Sequence, residues 1–141
     1  MFDLVVGLLL LPAVIIDAVS QVSVKFETET RNINNREFIV YTADTPEKWQ
    51  QGFKGKVVLD NEAMVFEFPS QSIKTFWMKG TKSALDIVYL DKDFRITKIV
   101  HSATPCRLLC KPYIGVANFV VEFKAGIVKE LGLKKGQNFI I

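Results

Sequence analysis

Phe76-Trp77-Met78-Lys79-Gly80-Thr81 is followed within three residues by Ala84-Leu85-Asp86-Ile87-Val88-Tyr89-Leu90-Asp91. The first run sets aromatic side chains beside a cation and a hydroxyl. The second is apolar and rich in strand-favouring residues. Gly80 between them lets the backbone turn, so the two runs read as neighbouring strands of a β-core. At their edge Lys79, Thr81 and Asp86 are expected to meet, with a Lys79–Asp86 ion pair at the bend. With the Trp77 indole as a stacking face, and Tyr113 from a later loop, these residues outline a candidate pocket for a small polar ligand. The competing reading is an ion pair that pins the turn and binds nothing.

Outward from this centre, the chain is punctuated into short strands. Gln21–Glu29 alternates Val22, Val24 and Phe26 with polar residues, and Arg36–Ala43 carries Phe38-Ile39-Val40-Tyr41 beyond the polar turn 31–35. Thr45-Pro46 is a helix start, with a hydroxyl cap and proline in the first turn, and Gly52 ends the helix Pro46–Gln51. Ala63–Phe68 reads as a strand ended by Pro69. Ala84–Leu90 and Phe94–His101, joined across Asp91-Lys92-Asp93, read as an antiparallel hairpin. Thr104–Gly115 is an irregular loop, Ala117–Phe123 a strand, Ile127–Leu131 a short helix and Asn138–Ile141 a sealing edge strand. The expected fold is mainly β with two short helices, a compact antiparallel barrel-like sheet.

The 141 residues make one domain, 21–141, behind an apolar N-terminal segment, 1–20. Leu4–Ile16 is apolar throughout, which suits a signal sequence, a membrane anchor or a helix buried against other protein chains. No Lys or Arg precedes it, so the usual positive flank of a signal is missing. All 18 Lys and Arg, and 13 of the 15 acids, lie after Ser20, an excess of five positive charges. That excess forms no dense basic stripe with interleaved aromatics, which argues against a nucleic-acid groove.

Cys106 and Cys110 stand four apart in the proline-bearing loop. Their spacing suits a small structural disulfide in an oxidising compartment, and two buried thiols are the alternative. With one His and no second Cys pair, neither a zinc site nor a redox motif is outlined, and no cofactor or metal is expected. No triad, phosphate loop or nucleotide-binding glycine motif occurs. Asp86 and Glu122 are the candidate acids of a hydrolase reading if the fold brings them together.

The series Phe76-Trp77-Met78-Lys79-x-Thr81, Leu85-Asp86-Ile87 and Asp91 resembles the DUF192 (UPF0127) family of small bacterial and archaeal proteins. The likeness extends to Met64-Val65-Phe66-x-Phe68, Cys110-x-Pro112-Tyr113, Ala117-x-Phe119-Val120-Val121-Glu122, Ala125-Gly126 and Leu131-Gly132-Leu133-Lys134-x-Gly136. The resemblance covers about residues 40–141. It implies a mainly β domain of unestablished biochemistry, often secreted or anchored, whose members often keep a cysteine pair near the proline-rich loop. The family's Gly-Leu-Met-x-Arg segment is replaced by Gly52-Phe53-Lys54-Gly55-Lys56, and its Asn after the motif lysine by Gly80.

The leading functional expectation is a non-enzymatic, extracytoplasmic or envelope-tethered binding module. The alternatives are a subunit of a larger assembly, such as a phage particle, docked through its apolar N-terminus, and a hydrolase.

Overall fold

The computed structural model describes residues 23–141, and the apolar segment Leu4–Ile16 lies outside them. β1 (Glu27–Ile33) and β2 (Arg36–Ala43) form the expected antiparallel hairpin. It closes at Asn34-Asn35, both at positive φ (48° and 66°), a conformation asparagine tolerates better than most residues. β1 begins later than the alternation of Val22, Val24 and Phe26 predicts. Its register with β2 starts at Glu27↔Thr42, one residue short of the end of β2 at Ala43, and runs through Arg31–Ile33, which the sequence reads as part of the turn.

α1 (Pro46–Gln51) matches its sequence signature: the Thr45 hydroxyl accepts from the Lys48 N–H, and Gly52 at φ 46° stops the helix. The crossover that contains α1 returns the chain to the same end of the sheet, so β2 and β3 (Glu62–Phe76) run parallel. The remaining strands are β4 (Leu85–Leu90), β5 (Ile96–Ala103) and β6 (Tyr113–Lys124). The order is β1-β2-β3-β6-β4-β5, a mixed six-stranded sheet that is not closed into a barrel. This corrects the expectation of an antiparallel barrel. The exposed β1 and the outer β5 remain edges, and the crossover through α1 makes β2 and β3 parallel where antiparallel neighbours were expected.

β4 and β5 form the expected hairpin, where Asp91 Oδ1 accepts from the N–H groups of Asp93 and Arg95 at 2.9 Å each. β4 is buried along its whole length, which fits a run that is apolar except for Asp86. One face of the sheet packs Ile33, Phe38, Val121 and Phe123 under α2 (Ile127–Glu130) together with Leu133 and Phe139. The other packs Met64, Phe66, Ile87, Tyr89 and Val120 against Phe53 and Met78. The expected C-terminal strand is reduced to one bridge, Asn138↔Arg95, with Phe139 buried beside it.

β3 does not end at Pro69. It runs on to Phe76, with a register shift against β6 between Glu67 and Ser72. Pro69 falls in that bulge, where no ladder hydrogen bond is required of it. Past the bulge the β3–β6 ribbon folds back over the sheet. Ten residues of straight strand would separate Phe66 from Phe76 by about 33 Å, yet their rings lie 4.9 Å apart. Phe76 then meets Tyr89 edge-on at 5.9 Å, and the Tyr89 hydroxyl donates to the Tyr113 carbonyl at 2.8 Å. Gly115 makes this approach possible: a Cβ there would fall 2.6 Å from Tyr89 Cδ1.

The Tyr89 ring is fully buried and has no room to retreat. Gly115→Ala is therefore expected to cost about 1–3 kcal/mol, read as a lowered urea midpoint. An unchanged midpoint would mean that the ribbon is not held against the ring.

Candidate functional site

The folded ribbon roofs a cleft of about 450 Å³. Its walls come from α1 and the following Gly52-Phe53-Lys54, from Phe66 and Phe68, and from the returning arm Ile73–Trp77. Thr81 and Glu122 also line it. The aromatic wall is built by successive contacts: Trp49 against Phe68 at 4.9 Å, and Phe68 against Phe76 at 6.4 Å. The Trp49 Nε1–H donates to the carbonyls of Ala43 and Glu67 at 3.0 and 3.1 Å, so this indole serves as a fixed wall. Trp77 differs, since it lines the same cleft with 54% of its surface exposed. The Lys74 ammonium sits 4.3 Å from the Phe68 ring centre and donates to the Ser72 hydroxyl, and burial lowers its pKa.

Glu122 is the chemical anomaly of the cleft. It sits mid-strand on β6, paired with Met64 on one side and Ile87 on the other, and is only 5% exposed. Loss of hydration pushes its carboxyl up to about 8. Burial, and next the nearby Glu122 charge, raise the Tyr89 hydroxyl. A neutral carboxylic acid at the floor of an aromatic cleft both donates and accepts hydrogen bonds, a use of burial known from enzyme and binding sites.

Of the residues expected to form the pocket, Trp77 and Thr81 come together here, whereas Lys79, Asp86 and Tyr113 are not in the lining. Among the described residues no ion pair joins Lys79 to Asp86, which corrects the expectation that the pair closes the bend. Lys79 is exposed and bridges Cys106. Asp86 is fully buried on the opposite face of the sheet, in register with Phe123. There its Oδ1 accepts from the Ser102 N–H at 2.9 Å, and its Oδ2 from the N–H groups of Gly126 and Val128 at 2.9 and 3.0 Å. Asp86 thus caps the start of α2 and ties it to β4 and β5.

The same register separates the two acids of the hydrolase reading, because Asp86 pairs with Phe123 and Glu122 with Ile87, and strand neighbours alternate faces. Glu122 had a visible signal in the chain, a carboxylate inside Phe119-Val120-Val121-Glu122-Phe123, a run otherwise fit for full burial. The contribution of Trp49, Phe53 and Phe68 had none, because it depends on the back-folded ribbon. Cys106 and Cys110 are joined in a disulfide with Cα atoms 5.6 Å apart. Among the described residues no group of three or more His, Cys, Asp and Glu is placed to hold a metal ion.

Removing Asp86 leaves three backbone N–H groups without their acceptor, that of Val128 buried, so Asp86→Ala is expected to cost about 3 kcal/mol. Lys79→Ala is expected to stay within about 0.5 kcal/mol. Equal losses in denaturant titrations of the two variants would restore the ion pair. For Glu122, the folded carboxyl at about 8 lies above its ordinary value of 4.5, so the folded chain keeps a proton that the unfolded chain releases first. Stability from this group is whole below about pH 4.5 and lost progressively up to about pH 8. The Tm of the wild type should fall across that window more than the Tm of Glu122→Gln, and parallel curves would refute the raised pKa.

The comparisons with known proteins agree with this architecture. No curated protein matches the chain. A solved structure from Sinorhizobium meliloti 1021, described as a "putative transcription regulator", is 25% identical with a TM-score of 0.72, over 83% of this chain and 95% of the other. A protein of unknown function from Novosphingobium aromaticivorans DSM 12444 is 26% identical with a TM-score of 0.69, over 86% and 89%. The family profile of DUF192, "Uncharacterized ACR", matches residues 27–141. With its sheet, its Trp77 motif and its buried acids all inside that span, the chain belongs to the DUF192 family.

Proposed function

We propose that this domain is a non-enzymatic binding module that takes a small polar ligand with one flat apolar face, and that it works outside the cytoplasm or tethered to an envelope membrane. The observation that carries the reading is the opening of a half-exposed indole, Trp77, and a buried carboxyl, Glu122, into one cleft. An aromatic face can stack on a sugar-like ring while a few convergent polar groups fix its orientation. Thr81 and neutral Glu122 supply hydrogen bonds, and Lys54 and Lys74 add positive charge. Among the described residues no second carboxylate lines the cleft. The ligand class that fits is therefore neutral or anionic, such as a saccharide or a hydroxy acid. A binding role is favoured over hydrolysis because Glu122 has neither a second acid nor the lone His101 beside it in the lining. The Cys106–Cys110 disulfide and the apolar sequence Leu4–Ile16 support the extracytoplasmic setting.

Saturation-transfer NMR on the full chain, with a panel of mono- and disaccharides and short hydroxy acids, tests the reading. A bound compound should lose affinity at least about tenfold in Trp77→Ala, with little change in Tm because that indole is half exposed. Binding that survives both Trp77→Ala and Glu122→Gln would place the ligand elsewhere.

A further inference from the structure

The Cys106–Cys110 ring holds two leucines out of the protein. Leu108 is 83% exposed and Leu109 fully so, at 103% of its reference surface. Leu109 also takes φ 52°, a left-handed conformation that a leucine adopts at a cost. The disulfide closes a five-residue ring, Cys106 to Cys110, with this pair inside it. Two adjacent leucines held in water forgo the free energy of burial, as a contact surface does before its partner arrives.

The charge around the tip selects the partner. Arg107 and Lys111 flank the leucines, and Lys79 bridges Cys106. No Asp or Glu occurs from Thr104 to Tyr113, the loop that carries the tip. Nor does any occur from Phe68 to Leu85, which adds Lys74 and Lys82. Apolar side chains projecting from a cationic collar match an anionic lipid surface, where the leucines enter the acyl boundary and the cations stay among the headgroups.

The position in the fold agrees. Ser23, the first described residue, shares a wall with Gln51–Lys54. Lys54 bridges Thr81, and Lys79 bridges Cys106. The chain therefore enters the domain at the end that carries the leucine ring, downstream of the apolar sequence Leu4–Ile16.

We infer that the disulfide-closed tip Arg107-Leu108-Leu109 is a docking element for an anionic lipid bilayer, separate from the N-terminal sequence. Two consequences follow for the domain. Docking sets it against the bilayer with its basic end down. It also brings the cleft wall to the lipid interface, since the Cys106 N–H donates to the Met78 carbonyl and the Gly80 N–H to the Cys106 carbonyl, directly beside Trp77 and Thr81.

The test uses the full chain carrying Leu108→Trp, reconstituted into vesicles of phosphatidylcholine and phosphatidylglycerol (3:1) with brominated acyl chains. The fluorescence added by the new indole, over that of Trp49 and Trp77, should be quenched by at least half. Adding Arg107→Glu and Lys111→Glu should remove most of that quenching, as should vesicles of phosphatidylcholine alone. An added indole that brominated lipid does not quench overturns the inference. So does quenching that ignores both the charge reversal and the lipid charge. A concentration-dependent dimer in lipid-free detergent that shields the added indole from iodide would assign the tip to a second copy of the chain and overturn it equally.

Discussion

The contact on which the rest of this structure depends is the bare backbone of Gly115 lying on the buried ring of Tyr89. A two-stranded ribbon has no reason of its own to fold back over the sheet it came from. It does so here because a bulge after Glu67 breaks the register, and because one residue without a side chain meets a flat aromatic surface. Once the ribbon is down, Phe76 is wedged between Phe66, Phe68 and Tyr89, and the aromatic stack closes. The cleft is the space left where this roof meets α1. Its shape is therefore a packing consequence of a bend and needs no loop dedicated to binding.

Two buried acids one register step apart show how the sheet assigns roles. Asp86 points to the α2 face and accepts from three backbone N–H groups, so its oxygens are hydrogen-bonded and its work is structural. Glu122 points to the ribbon face among apolar side chains and gains no such donors, so burial favours its neutral form. The chemistry of the two groups is nearly the same. What separates them is the alternation of a strand and what happens to lie on each side of it.

The segment from Met78 to Thr81 ties three parts of the molecule together. Thr81 bridges Lys54, the Gly55 N–H donates to the Gly80 carbonyl, and Lys79 bridges Cys106. Gly80 at φ 78° allows this, and a Cβ there would lie 3.7 Å from the Lys54 side-chain stem. The disulfide ring, the loop after α1 and the cleft wall therefore share one backbone segment. A change in any of them reaches the other two through hydrogen bonds rather than through the core.

The local elements were legible in the chain. Thr45-Pro46 and Gly52 set α1 to the residue, the polar run 31–35 and the Asp91–Asp93 turn placed two hairpins, although only Asn34-Asn35 of the first makes the turn, and the four-residue cysteine spacing allowed the disulfide. Each of these rests on neighbours within a few positions, where dihedral preference and capping act. The mixed order of the sheet, the continuation of β3 past Pro69 and the separation of Lys79 from Asp86 were decided only in three dimensions. Sequence proximity suggested that the ammonium and the carboxylate would meet, but a fully buried carboxylate is better served by three fixed amide donors than by one mobile side chain at the surface. The site followed the same division. Trp77 and Thr81 were visible from their own motif, whereas Glu122 became a cleft residue only when the ribbon, held by distant Gly115 and Tyr89, folded over it.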